Sequence, residues 1–156
     1  MIVFFTLFAA SAESNCMLNQ CETSNIKPSS AQQSVLSKPL QVCSTTPMTG
    51  FFRDGFCHTN EQDRGVHVVC AEMTTEFLTH TKMQGNDLST PKPQYNFRGL
   101  QPGDRWCLCA ARWQEAQSAG VAPNVVLDAT HTKALQTIQY SDLLKLSTSA
   151  TPKQAK

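Results

Sequence analysis

Charge is scarce in this sequence: Asp, Glu, Lys and Arg make up 16% of its 156 residues, and 13 basic against 12 acidic side chains leave a net charge of +1. Lys and Arg nowhere form a run. Without a basic field there is little to attract a phosphate backbone or an anionic membrane surface, so neither nucleic acid nor a membrane is expected as partner of the globular part. No apolar stretch reaches the roughly 20 residues that a membrane-spanning helix needs. Also missing are a Cys-x-x-Cys pair, a Gly-rich phosphate loop and a nucleophile elbow. These absences remove the compact zinc chelate, the nucleotide cradle and the common hydrolase signature.

What is present suits one core. The length accommodates a single hydrophobic domain and not two comfortable ones. Apolar residues account for 40% of the chain, and eight Phe, two Trp and two Tyr supply large side chains to bury. Seven cysteines are many for this size, but their odd number and the chain length do not suit a complete disulfide framework. Buried free thiols, a reactive thiol and a metal site remain as competing readings.

The two ends differ from the middle. Residues 2–10 form an apolar run followed by Ala10-Ser11-Ala12, the small-residue pattern of a signal-peptidase site, but no Lys or Arg precedes it. A cytoplasmic location is the expectation, with secretory targeting by residues 1–12 as the alternative. Residues 13–34 are rich in Ser, Asn, Gln, Thr and Pro, a composition that cannot offset the entropy of ordering, and read as a linker carrying Cys16 and Cys21, either as exposed thiols or as a pair. The division is an N-terminal extension over 1–36, a globular domain over 37–147 and a tail over 148–156.

Within the domain, Thr49-Gly50 and Asp54-Gly55 mark turns in an aromatic, loop-rich entry between Cys43 and Cys57. Residues 66–71, β-branched and nearly continuous, predict a strand buried on both faces. Thr74 then caps a helix with Glu76 in its first turn, Phe77, Leu78 and Thr81 inward, and Gly85 as terminator. Residues 86–103, with three prolines around Tyr95, Phe97 and Leu100, form a long ordered loop. Asp104 reads as the cap of a second helix whose inner face is Trp106, Cys109, Ala110, Trp113 and Ala116 or Gln117, ending at Gly120. A short strand over 125–127, a helix capped by Thr130 and a last turn capped by Ser141 complete the reading. The class is α+β: one small domain with short strands, three to four helices and long ordered loops.

Several of these segments resemble one family. Pro39-Leu40 with Cys43, Thr49-Gly50-Phe51-Phe52-Arg53-Asp54-Gly55 with Cys57, residues 67–71, Gly85-Asn86-Asp87-Leu88-Ser89-Thr90-Pro91, Gly103-Asp104-Arg105-Trp106-Cys107-Leu108-Cys109-Ala110-Ala111-Arg112-Trp113 and Leu127-Asp128-Ala129-Thr130-His131 are similar to domain of unknown function 2237. The likeness spans about 39–146. It implies small, mainly bacterial relatives and places Cys16, Cys21 and the apolar start outside the family pattern. It assigns no catalytic residue.

The residues themselves offer three chemistries. A helix capped by Asp104 would hold Cys107 in its first turn beside Arg105, where a thiolate is favoured, and would turn Cys109 toward the core on the opposite side. Cys107 is then the candidate nucleophile of a thiol enzyme or redox sensor, with His131, neutral at the start of its own helix, as the base. A small-molecule binding or interaction module is the reading that asks least, with a pocket near residues 86–103 and Arg53, Arg105, Asp87 and Tyr95 as binding residues. A structural zinc site would draw on Cys43, Cys57, Cys70 and Cys107, whose thiolates suit zinc. In a regular strand His67 and Cys70 face opposite ways, so only a bulge would let both serve one site.

Overall fold

A computed structural model describes residues 32–148. The expectations for the apolar start, for residues 13–31 of the linker with Cys16 and Cys21, and for residues 149–156 of the tail lie outside the described residues. No helix among the described residues is long and apolar enough to cross a membrane.

The centre is a two-stranded antiparallel ladder of β1, His67–Glu72, and β2, Arg105–Cys109. Val68, Val69, Cys70 and Ala71 are fully buried, as expected of a strand covered on both faces. Helix α1, Thr75–Met83, follows β1 and is capped as the sequence indicates, with the Thr74 hydroxyl accepting from the Phe77 amide at 3.1 Å. It buries Phe77, Leu78 and Thr81. Helix α2, Ala110–Ser118, continues directly from β2 and buries Ala110, Trp113 and Ala116. The Trp113 indole donates to the Pro123 carbonyl at 3.0 Å, so the polar tip of this buried ring is satisfied. Helix α3, Tyr140–Lys145, closes the core with Leu143. Together the small sheet and three helices form an α+β domain.

The segment after Asp104 departs from expectation. It is extended through Cys109, and the helix begins only at Ala110. The Asp104 carboxylate turns back to accept from the Gln101 amide at 2.8 Å and from Arg98 at 2.7 Å, closing the preceding loop instead of capping a helix. Residues 105–109 gain β1 as a partner, an interaction between distant segments that a local helical spacing cannot register. The apparent helical face joined buried strand residues to the true inner face of α2. Similarly, Val125 makes only isolated bridges with Ala71 and Ser147, and residues 127–129 form a turn of 3-10 helix. The Thr130 hydroxyl, expected as a cap, donates to the Val126 carbonyl and accepts from the Cys70 amide. His131 takes the capping position of the short 3-10 helix Thr132–Gln136, and Gln139 precedes α3.

The fold begins ahead of Ser37. Ser34 and Val35 are buried, and the Val35 amide donates to the Thr130 carbonyl at 2.8 Å. Replacing the fully buried Phe77 by Ala should cost about 3–5 kcal/mol by removing a large apolar side chain from a site that cannot collapse onto it. Urea denaturation monitored by Trp fluorescence measures the loss.

Candidate functional site

A tight turn leads into β1. Val66 adopts φ +50, an unusual conformation for a β-branched residue, and its amide donates to the Asp63 carbonyl at 3.1 Å. Gly65 lies against the His67 ring so closely that a Cβ there would collide with it. The turn thereby folds Asp63 back onto His67. Asp63 Oδ1 lies 2.6 Å from His67 Nδ1, while Oδ2 accepts from the His67 amide at 2.8 Å and from the Thr59 hydroxyl at 3.0 Å. The carboxylate is buried, and strained backbone that over-determines a side-chain pair is a feature of functional sites.

The register of the ladder supplies a third group. Cys70 pairs with Cys107 and Val69 with Leu108, so a regular ladder would place Val68 opposite Cys109; instead His67 is there. One extra residue in β1 makes a bulge and brings His67 to the face that carries Cys70 and Cys107. Cys109, half-buried at the start of α2, stands directly opposite His67 in the ladder. The turn and the register thus bring a carboxylate, an imidazole and a thiol together, Asp63 bound to the His67 ring and Cys109 paired with His67 across the ladder.

Electrostatics couple the three. The hydrogen bond and charge of Cys109 are the largest influence on His67 and, with Asp63 adding to them, lift its pKa from 6.5 to about 9 against the opposing effect of burial. Burial pushes the Asp63 carboxyl up, but the hydrogen bonds from the His67 amide and ring and from Thr59 outweigh it and hold the group below the usual carboxylate range. Because the folded value of His67 lies above 6.5, its contribution to stability is complete below about 6.5 and is lost as pH rises through about 9.

On the same face of the ladder, Cys70 is bonded to Cys43 and Cys107 to Cys57. All four sulfur-bearing residues are buried, and Val126 and Ala129 pack over them. The sulfurs of Cys43, Cys57 and Cys70 lie within 4.8 Å of one another. Four of the cysteines named from the sequence as metal ligands thus do converge. Cys107, expected as the nucleophile, is on a strand and in a disulfide, so it presents no thiol here. His131 is buried, accepts from the Lys133 amide through Nδ1 and donates its own amide to the Val68 carbonyl. Among the described residues Cys109 is the one cysteine outside a disulfide.

The expected binding residues separate. Arg53 and Tyr95 line a groove of about 450 Å³ with Phe97, Arg98 and Trp106. Arg53 also borders a second cavity, of about 230 Å³, that reaches His67. Its guanidinium stacks 4.8 Å from the Trp106 ring centre and makes no ion pair with a carboxylate among the described residues. Arg105 faces Glu72 across the ladder instead. Asp87 holds the 86–103 loop: it accepts from the amides and hydroxyls of Ser89 and Thr90 and pairs with Lys82. These interactions, those from Thr90 foremost, keep it well below the usual carboxylate range.

Asp63 and Cys109 were not singled out by their sequence context as reactive. The only local signal is Asp63-Arg64-Gly65-Val66-His67, a glycine-containing turn between a carboxylate and an imidazole four residues apart. In histidine-ring NMR titrations, Cys109→Ser should bring the His67 midpoint down from about 9 toward 6.5, and by more than Asp63→Asn does, because Cys109 is the larger influence.

A search of the curated proteins finds no match to the chain. A family described as an uncharacterized protein conserved in bacteria, DUF2237, matches residues 33–147. That span takes in the turn at Asp63, both strands, the four clustered cysteines, Cys109 and the groove, and the chain belongs to the DUF2237 family.

Proposed function

We propose that this domain is a thiol enzyme acting on small acyl compounds, with Cys109 as nucleophile, His67 as its imidazolium partner and proton-transfer group, and Asp63 as the group that orients the imidazole. The observation that carries the reading is the alignment of the three side chains by one bulged register and one strained turn. In such a constellation the base lies within reach of the nucleophile and is itself held by a third group. With His67 protonated below about pH 9, the sulfur attacks the acyl carbon as a thiolate beside the imidazolium, and the bond to the leaving group breaks as His67 gives its proton to it. Water, activated by the same imidazole, then releases the acyl group from sulfur. Arg53, beside both the groove and the cavity at His67, fits a substrate that carries a carboxylate or other anionic end.

The groove also supports a second reading, a binding module that uses Arg53, Tyr95 and Trp106 without covalent chemistry. The two disulfides favour an oxidising compartment, and with it the targeting role of residues 1–12 over a cytoplasmic location.

In a chain with Cys16 and Cys21 changed to Ser, iodoacetamide at pH 7 should modify Cys109 at least tenfold faster than an unstructured peptide thiol, as read by intact mass. His67→Ala should abolish that advantage. Equal rates for the peptide and the protein would leave the binding module as the better account.

A further inference from the structure

We propose that Cys43, Cys57, Cys70 and Cys107 form a redox-controlled zinc site, holding one Zn2+ as four thiolates when reduced and two disulfides when oxidised. The four residues come from separate segments, two from the loops before β1 and one from each strand, yet they meet in one buried cluster. Cys70 and Cys107 are directly paired across the ladder, and the two disulfides lie against each other, with the Cys57 sulfur within 4.8 Å of both Cys43 and Cys70. Thiolates around a tetrahedral zinc, each at about 2.3 Å from the metal, stand roughly 3.8 Å apart. Opening the two bonds frees the side chains to rotate, and the Cys107 sulfur, which lies outside the 4.8 Å grouping of the other three, makes the largest movement.

Sequence spacing alone argues against zinc, because no two of these cysteines form a Cys-x-x-Cys chelate. The ladder replaces that local chelate with a cross-strand pair, and the loops carrying Cys43 and Cys57 close over it. Val126 and Ala129 cover the sulfurs with apolar surface, which excludes water from the metal. The cluster has no open side, in keeping with a structural site and not a catalytic one. The site is independent of Cys109, which takes part in neither disulfide.

The chemistry balances with a dithiol as reductant. Each disulfide accepts two electrons and two protons from a dithiol, which becomes a disulfide, so four thiols are released in all. Zn2+ then binds as four protons leave. Reoxidation by an external disulfide expels the metal. In a reducing compartment the zinc form would hold the loops to the ladder, and in an oxidising one the disulfides would do so.

The test uses the full chain, reduced under argon with a phosphine and titrated with Co2+. One equivalent should bind and give the intense visible bands and the thiolate-to-cobalt charge transfer of a tetrahedral sulfur site; Zn2+ should displace it, and the oxidised chain should take up neither metal. Cys57→Ser and Cys107→Ser should each weaken Co2+ binding by at least a hundredfold, while Cys109→Ser should leave it unchanged. Failure of the reduced chain to take up metal, for whatever reason including loss of fold, overturns the proposal, as does equal loss in Cys109→Ser. Neither result bears on the alkylation of Cys109 in the oxidised chain, so the two proposals fail separately.

Discussion

A single extra residue in β1 governs the arrangement of this domain's chemistry. Side chains on a strand alternate with period two, so an inserted residue moves everything on one side of it to the opposite face. Here the insertion lies at Val68 and leaves Cys70 opposite Cys107 while putting His67 opposite Cys109. The strained turn at Val66 and the absence of a side chain at Gly65 follow from the same requirement, since the chain must reverse tightly to place Asp63 against His67. The Val66 carbonyl accepts from the amides of Val68 and Ala110, so the turn that carries His67 is held both to β1 and to the start of α2.

The sulfur cluster on the same face has a different role. Cross-links across sequence separations of 27 and 50 residues remove chain entropy from the unfolded state, on the order of 3–4 kcal/mol for each link in the simplest treatment. Their structural consequence lies in the segment from Cys43 to Cys57, which has little regular structure of its own. Fixed at both ends to the ladder, it presents Arg53 over Trp106 at the edge of the groove. The buried Thr49 hydroxyl adds a polar tie by accepting from the Cys107 amide at 2.8 Å. The groove is therefore edged by loops, and the disulfide links to a two-stranded ladder give those loops their positions.

The local parts of this architecture were legible because local physics decides them. Thr74, Glu76 and Gly85 bound α1 through capping, dipole and left-handed termination, each of which involves only neighbouring residues. The continuous apolar character of residues 68–71 likewise identified a strand with both faces covered. Arg105–Cys109 was misread because its apolar residues, taken with those of α2, reproduce a helical spacing. Pairing with β1 overrode that local preference, and with it went the assignment of Cys107 as a first-turn thiol and of Cys109 as a core residue turned away from it.

By itself the amino-acid sequence determined the α+β class, the family, the order of most elements and the short set of cysteines and histidines from which any chemistry had to be drawn. The tertiary structure alone decided which of these meet: Cys43 with Cys70, Cys57 with Cys107, and His67 with Asp63 and, across the ladder, Cys109. Capping, turn preference and periodicity act over a few residues, and a linear reading retains them. Strand register and a bulge join segments some forty residues apart, and a shift of one residue changes which side chains share a face, so those partnerships exist only once the ladder has formed.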